Sequence, residues 1–474
     1  MKSEKALRLP NRGEILFALI GFGAVMFIFI VLFELPIHLA LLVSWFLIIA
    51  VGLKIGYRYK QMQDGLLRGI YDGLEAVLIL ITVGALIGTW IAGGIVPSII
   101  YYGMSIIDPS ILLLAAFFIC TVTSIVTGTS FGSAGTAGIA MMAIGASFGF
   151  PPPLVAGAVI SGCYVGDKLS PISDTTVMTA SLAKVDIIEH IKSMLRVSIP
   201  AWVIAGALFL IVGFFYQGSG DLSAATSIMA SLKEHFNIAW YMLLPAVVVV
   251  VMLAMKMPSI PVIMFGALLG SIWAFIFQGV PFLGAINIMY AGSEITSGIA
   301  FIDELLNRGG IVFMLDVIAL IILALGVGGL MAKIGIIRAV GDFLARWAIN
   351  PGRLTTSTVI SGFMGNVFGA AYVSLITATK VTEDNYDRMK IDRRVLSRNT
   401  EAGGTVTTPL VPWSDGGVFM TAALGVPTLS YLPFVWFNLL VVLITLIYGY
   451  TNTFIWRTEE AKDEKPIENV VSGN

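Results

Sequence analysis

The chain carries the stretch PISDTTV (Pro171–Val177), which recurs 241 positions later as PWSDGGV (Pro412–Val418). Both copies lie between apolar segments, where a carboxylate is costly because hydrocarbon does not solvate charge. A charged residue at such a place is a candidate functional site. Two matching copies predict a protein that is built from two halves meeting at a central site.

The composition is that of a membrane protein. Of 474 residues, 57% are hydrophobic and 12% are charged, and the mean hydropathy is +0.91, whereas about 25% charged residues are usual in soluble domains. We therefore predict an all-α polytopic membrane protein with roughly 11–13 transmembrane segments, counting broken ones. Basic residues before the first apolar window place the N-terminus in the cytoplasm. The net charge of −1 gives no indication of a nucleic-acid partner.

Further matches indicate an internal duplication. Glu75 and Asp316, each near the start of an apolar segment, are also 241 positions apart, and GTSFGSA (Gly128–Ala134) matches GNVFGAA (Gly365–Ala371) at a spacing of 237. Lysine and arginine precede the segment of Glu75 but follow that of Asp316, which predicts opposite orientations and thus two inverted-topology repeats. The loop 380–398 mixes both charges, and this rule does not assign it to a side.

Six regions follow from these patterns. They are a cytoplasmic N-terminus (1–13), an N-terminal transmembrane helix pair (14–56), a first repeat (70–217), connecting transmembrane helices (218–310), a second repeat (311–450) and a cytoplasmic tail (451–474). Glycine and proline are dense at 128–138, 162–171 and 403–412, where they interrupt helical hydrogen bonding. Because lipid does not satisfy a free backbone, we predict broken helices or re-entrant hairpins that line an interior cavity.

Four carboxylates are the candidate ion- and proton-binding groups: Asp167, Asp174, Glu401 and Asp415. Oxygen ligands suit a hard cation such as Na⁺, and we expect Asp174 and Asp415 to approach each other as Na⁺ ligands, with the other two in the same cavity. A carboxylate that binds either Na⁺ or a proton suffices for antiport. Supporting oxygen or nitrogen atoms are expected from neighbouring polar side chains, namely Thr129, Ser130, Ser133, Ser170, Ser173, Thr175, Thr176, Asn366, Thr405, Thr407, Thr408 and Ser414.

Each carboxylate also has an ordinary structural explanation. Asp174 and Asp415 could cap helix N-termini, since Ser-Asp after proline is a common helix start. Asp167 could be neutralised by Lys168, and Glu401 could end a loop. For Glu75 and Asp316 we expect a solvated position at the membrane interface.

GTSFGSAGTAGIAMMAIG (Gly128–Gly145), GCYVGDKLSPISDTTVMTASLAKVD (Gly162–Asp186) and GGTVTTPLVPWSDGG (Gly403–Gly417) resemble the NhaC family of Na⁺/H⁺ antiporters, within the ion-transporter superfamily. The resemblance covers most of the chain. It implies Na⁺ efflux coupled to proton entry across a bacterial or archaeal inner membrane, with no resident cofactor, and it implies roles for Asp167, Asp174, Glu401 and Asp415.

The same resemblance includes sodium-coupled exchangers of small organic acids, of the malate/lactate kind. A carboxylate or amino-acid substrate needs a cationic partner, for which Lys168 and Arg398 are candidates, and the two interpretations differ in whether a cation reaches the central cavity. An intramembrane aspartyl protease, suggested by Tyr71-Asp72 and Gly166-Asp167, and a passive channel are weaker alternatives. The expected partners are membrane lipid, Na⁺, protons and, as an open expectation, a second copy of the chain.

Overall fold

The computed structural model describes residues 8, 10–216, 222–295, 303 and 306–458. Within these ranges the chain is helical, and one isolated bridge between Ile391 and Arg457 is the only β-type pairing. Seven of the described helices are long and apolar enough to cross a membrane, or nine if two sharply bent helix pairs each count as one span. Three shorter apolar helices accompany them. The chain is therefore a multi-pass helical membrane protein.

Three helices precede the first repeat: α1 (Arg12–Phe27), α2 (Ile37–Ile55) and α3 (Tyr59–Asp72). α1 begins at a capping box, in which the side chains of Asn11 and Glu14 each accept a hydrogen bond from the backbone of the other. A π-helical segment, Ile28–Leu32, extends α1 by five residues.

The predicted first repeat contains eight helices: α4 (Leu74–Ala92), α5 (Ile95–Ile106), α6 (Leu112–Thr127), α7 (Ser130–Ser133), α8 (Ile139–Ser147), α9 (Pro152–Leu169), α10 (Asp174–Ala183) and α11 (Ile187–Tyr216). A π-helical segment, Ala134–Gly138, joins α7 to α8. Four connecting helices follow: α12 (Leu222–His235), α13 (Leu244–Ala254), α14 (Ser259–Phe277) and α15 (Phe282–Ala291). The chain bends by 87° between α12 and α13.

The predicted second repeat also contains eight helices: α16 (Ile311–Lys333), α17 (Ile336–Trp347), α18 (Pro351–Val367), α19 (Ala371–Arg388), α20 (Arg393–Gly403), α21 (Asp415–Leu424), α22 (Thr428–Tyr431) and α23 (Trp436–Thr451). A 3₁₀ segment, Thr405–Leu410, follows α20 where the glycine- and proline-rich sequence predicts a break. The chain bends by 88° between α21 and the helical segment that begins at Thr428.

The first and last residues of equivalent helices in the two predicted repeats are separated by the same number of residues. α5 and α17 each follow a glycine in the left-handed conformation, Gly94 (φ +75°) and Gly335 (φ +81°), and both ends of these two helices are 241 residues apart. The same spacing relates α10 to α21 at both ends. The match of Gly128 to Gly365 was wrong by one helical turn, because Gly128 ends α6 whereas Gly365 lies within α18. At a spacing of 241, Gly128 corresponds to Gly369.

α3 lies antiparallel against the last part of α16. A Cβ on Gly69 would lie 2.5 Å from the carbonyl oxygen of Leu325, and one on Gly65 would lie 2.5 Å from Cβ of Lys333. Only glycine allows this approach. The contacts of Gly65 and Gly69 on α16 are eight residues apart, which corresponds to about 12 Å along that helix. α3 therefore ends beside the middle part of α16 rather than beside its end. Glu75, just beyond α3, is exposed, and its expected position at the membrane interface stays a prediction.

Residues 380–398, which the sequence analysis treats as a loop, form the end of α19, a short connection and the start of α20, and they pack against the segment that follows α23. The backbone N–H of Asp392 donates to the carbonyl of Trp456 at 3.0 Å, and that of Thr458 donates to the carbonyl of Lys390 at 2.9 Å. The loop therefore lies on the side of the C-terminal segment, which the sequence predicts to be cytoplasmic.

Candidate functional site

A cavity of about 380 Å³, here called the central cavity, lies between the two predicted repeats. Five pairs of its lining residues are 241 positions apart in the chain: Ser130 and Ala371, Phe131 and Tyr372, Tyr164 and Thr405, Asp167 and Thr408, and Asp174 and Asp415. Equivalent positions of both halves thus surround one space. This is the arrangement that a central site between two repeats requires.

The central cavity has an exposed mouth and a buried floor. Asp72, Glu75 and Asp174 are exposed lining residues, whereas Asp167 and Asp415 are each only 7% exposed. Carboxylates therefore line the cavity from its mouth to its floor.

Asp167 is held by hydroxyl groups from two neighbouring helix starts. Its carboxylate accepts hydrogen bonds from Ser130, at the start of α7, and from Ser173, just before α10, the latter at 3.3 Å. Its backbone carbonyl accepts from the hydroxyls of Thr175 and Thr176, at 3.2 and 2.7 Å. These contacts group carboxylate, hydroxyl and carbonyl oxygens around one point, a set of ligands that suits a hard cation.

Asp174 and Asp415 are the first residues of α10 and α21, and the preceding serines occupy the N-cap positions. The two aspartates are therefore not the N-cap residues themselves, although Asp174 accepts from the backbone N–H of Thr175 at 2.9 Å in the first turn of α10. Asp415 accepts from the backbone N–H of Ala371 at 3.2 Å and from that of Gly416 at 2.8 Å. Asp174 accepts from the Tyr372 hydroxyl. Each carboxylate therefore contacts the first turn of α19, in the second repeat.

The supporting polar residues divide into two groups. Those that line the central cavity are Thr129, Ser130, Thr175, Thr405 and Thr408. Those outside its lining are Ser133, Ser170, Ser173, Thr176, Asn366, Thr407 and Ser414. Apart from Ser173, which contacts the Asp167 carboxylate, the second group satisfies backbone groups near the helix breaks, as when Asn366 donates to the carbonyl of Gly404 at 2.7 Å. Broken helices in lipid need such side-chain partners.

Glu401, Lys168 and Arg398 do not line the central cavity. Glu401 is fully buried within α20 rather than at the end of a loop, and it accepts from Thr179 at 2.9 Å. Lys168 is fully buried, and its ammonium has no hydrogen-bond partner among the described residues. Since successive residues of a helix point about 100° apart, Asp167 faces the cavity while Lys168 faces away. Arg398 donates to the carbonyl of Phe454.

Sequence reasoning missed several lining residues, and those with polar side chains are Asp72, Glu75, Thr127, Tyr164, Lys256, Ser259 and Tyr372. Lys256 is the one lysine or arginine in the described lining of the cavity. The repeat offers a partial signal for Tyr372, because its equivalent Phe131 lies in the conspicuous GTSFGSA segment. No signal for Lys256 is present, since it belongs to the connecting helices.

A complete metal site is not formed by acidic, histidine and cysteine side chains alone. No three such groups converge at metal-binding distance within the part of the chain that the structure describes.

Several known proteins that resemble this chain are antiporters. The profile of the Na⁺/H⁺ antiporter family matches residues 8–192 and 162–453. The malate-2H⁺/Na⁺-lactate antiporter of Bacillus subtilis is 53% identical over 457 residues, which cover 96% of this chain and 98% of that protein. The Na⁺/H⁺ antiporter NhaC of Alkalihalophilus pseudofirmus is 32% identical over 462 residues, 96% of this chain and all of that protein.

A third relative is named for a different pair of substrates. The arginine/ornithine antiporter ArcD of Halobacterium salinarum is 31% identical over 467 residues, 97% of this chain and 96% of that protein. Each similarity extends over nearly the whole length of both chains, and the family profile covers both repeats. This chain therefore belongs to the Na⁺/H⁺ antiporter family.

Proposed function

We propose that the chain is a secondary active transporter of the inner cell membrane, rather than an enzyme, and that it exchanges Na⁺ for H⁺ at the carboxylates of the central cavity. The observation that carries this proposal is the position of Asp167, Asp174 and Asp415 in one cavity between two repeats. Membership of an antiporter family supports it.

In this mechanism Na⁺ and H⁺ compete for the same oxygens. When Asp167 is ionised, its carboxylate and the hydroxyls of Ser130 and Ser173 offer oxygen ligands to Na⁺. When it is protonated, it donates a hydrogen bond instead and no longer attracts a cation. Asp415 acts in the same way from the second repeat. Glu401 lies outside the cavity lining, so we assign it no direct contact with the transported ion.

A stacked aromatic pair is the proposed gate at the inner end of the cavity. The rings of Phe131 and Phe419 are parallel within 17°, with centroids 4.2 Å apart, and Phe419 is fully buried. A second, smaller space is lined by apolar residues and Arg308, and it includes Ala422 and Ala423, about one turn after Phe419 in α21. A transporter with inverted repeats alternates between a state open to one side of the membrane and a state open to the other. In the second state, each repeat is expected to adopt the conformation that the other repeat has in the first. Phe131 and Phe419 would then separate, and their equivalents Tyr372 and Met178 would close the present mouth.

A second candidate function is exchange of small organic acids coupled to Na⁺ and H⁺. Two observations favour it, namely the 53% identity to a malate/lactate antiporter and the presence of Lys256 in the cavity lining. The ArcD relative makes amino acids a further substrate class to test. A cavity of about 380 Å³ has room for a small organic acid together with a cation. Homodimer formation remains a prediction.

Reconstituted protein separates the two candidates. Purified protein is placed in liposomes with a trapped pH dye, and Na⁺ is added alone and then with malate, lactate or an amino acid. Proton movement on Na⁺ alone supports Na⁺/H⁺ exchange, whereas movement that requires the organic acid supports the second candidate. No proton movement under either condition would contradict both.

A further inference from the structure

We propose that Lys256 binds a carboxylate group of a small organic anion at the mouth of the central cavity. This inference rests on the second candidate function and assigns it a residue. Lys256 is exposed and lines the cavity together with Asp72 and Glu75. Its side chain forms no ion pair or hydrogen bond with other described residues. The ammonium is thus available to an anion that enters the cavity.

The backbone of Lys256 has a conformation that lysine rarely adopts. Its φ angle is +64°, in the left-handed region where glycine is the usual residue at the end of a helix. The N–H of Lys256 donates to the carbonyl of Leu253 at 2.9 Å, and that of Met257 donates to the carbonyl of Met252 at 3.2 Å, which closes the turn after α13. These two hydrogen bonds hold the turn closed and thereby keep Lys256 at the edge of the central cavity.

The start of α14 adds to the positive potential at this position. Ser259, the first residue of α14, and Ile260 line the central cavity close to Lys256 in the chain. The first N–H groups of a helix have no partner within the helix, and they favour an anion. An organic acid bound to Lys256 would therefore find a hydroxyl and backbone donors beside it.

The carboxylates of the cavity make anion binding depend on cation loading. Asp72, Glu75 and Asp174 surround the same mouth and repel an anion while they are ionised. Protons or Na⁺ on the cavity carboxylates remove this repulsion and leave Lys256 to attract the anion. The organic acid would therefore bind only when the cations are also bound. No further structural element is needed to couple the two.

The test is uptake of labelled malate and lactate by proteoliposomes that contain wild-type protein, Lys256→Gln or Lys256→Arg. Loss of one charge-assisted contact predicts a rise in KM of about tenfold for Lys256→Gln, and Lys256→Arg should stay near the wild type. The matched control is Lys184→Gln. Lys184 ends α10 with a similar φ of +58° but does not line the cavity, so its loss should leave KM unchanged.

The outcomes distinguish this inference from the function on which it rests. Wild-type protein that takes up neither acid under any cation gradient would contradict the second candidate function and the inference together. Uptake by the wild type with an unchanged KM in Lys256→Gln, or with an equal change in Lys184→Gln, would contradict the inference alone. If Lys256→Gln does not fold, Lys256→Gly provides the same test, because glycine suits the left-handed backbone.

Discussion

Replacement of Asp167 by asparagine separates ion binding from folding. The change removes one negative charge from the floor of the central cavity but keeps a side chain of the same shape. Asparagine retains an oxygen that can accept a hydrogen bond from Ser130 or Ser173, so the free energy of unfolding should change by about 1 kcal/mol or less. The fold and the membrane insertion should therefore persist.

The effect on Na⁺ binding should be much larger. Two unit charges 4 Å apart attract each other by about 4 kcal/mol at an effective dielectric constant of about 20. Since each 1.4 kcal/mol, roughly, is a factor of about ten in affinity, loss of the charge predicts a decrease in Na⁺ affinity of about a thousandfold.

The assay is Na⁺-dependent proton flux in proteoliposomes over a wide range of Na⁺ concentrations, with thermal unfolding of the same preparations in detergent. Asp316→Asn is the matched control, because Asp316 is 85% exposed beside His38 and lies outside the cavity lining. The control should behave like the wild type. A Na⁺ dependence of Asp167→Asn close to that of the wild type, or an equal loss in Asp316→Asn, would refute the reasoning.

Three further substitutions test the gate and the packing of the helices. Phe419→Ala removes half of the aromatic stack and should allow leakage of Na⁺ down its gradient in dye-loaded liposomes; tight liposomes would exclude the gate. Gly69→Ala should lower the unfolding temperature, because its Cβ would clash with the backbone of α16 and overpacking costs about 1–3 kcal/mol; unchanged stability would contradict the close packing. Asn366→Ala removes two buried hydrogen bonds, to the Gly404 carbonyl and to the Thr407 hydroxyl, and should destabilise by about 1–2 kcal/mol, as denaturant unfolding would show.

Local sequence signals predicted the helix starts at the site. Pro-x-Ser-Asp places serine at the N-cap and aspartate in the first turn, and α10 and α21 both begin at the aspartate. The duplication at a spacing of 241 predicted that both aspartates face one space. The match at 237 failed because glycines and small residues recur at about one helical turn, so that sequence alone does not fix the register.

Which of the charged residues reach the central cavity depends on tertiary contacts, which the local sequence does not determine. Glu75 and Asp316 occupy equivalent positions in the two repeats, yet Glu75 lines the central cavity and Asp316 is exposed beside His38. Asp316 lies next to His38 of α2, and this contact between distant segments has no local signature in the sequence. Lys168 stands next to a cavity residue in the sequence but faces away, whereas Lys256 reaches the cavity from a different part of the chain. Helix rotation and long-range packing therefore limit prediction of the site.

Proton release induced by Na⁺ tests most directly whether Na⁺ and H⁺ compete for the same carboxylates. Purified protein in weakly buffered detergent solution is titrated with Na⁺ in the presence of a pH dye. The account predicts that Na⁺ releases protons from the wild type and that half-maximal release needs more Na⁺ as the pH falls, because protons then occupy the carboxylates more fully. Asp167→Asn should release fewer protons. A half-maximal concentration that does not change with pH, or no release at all, would contradict the account.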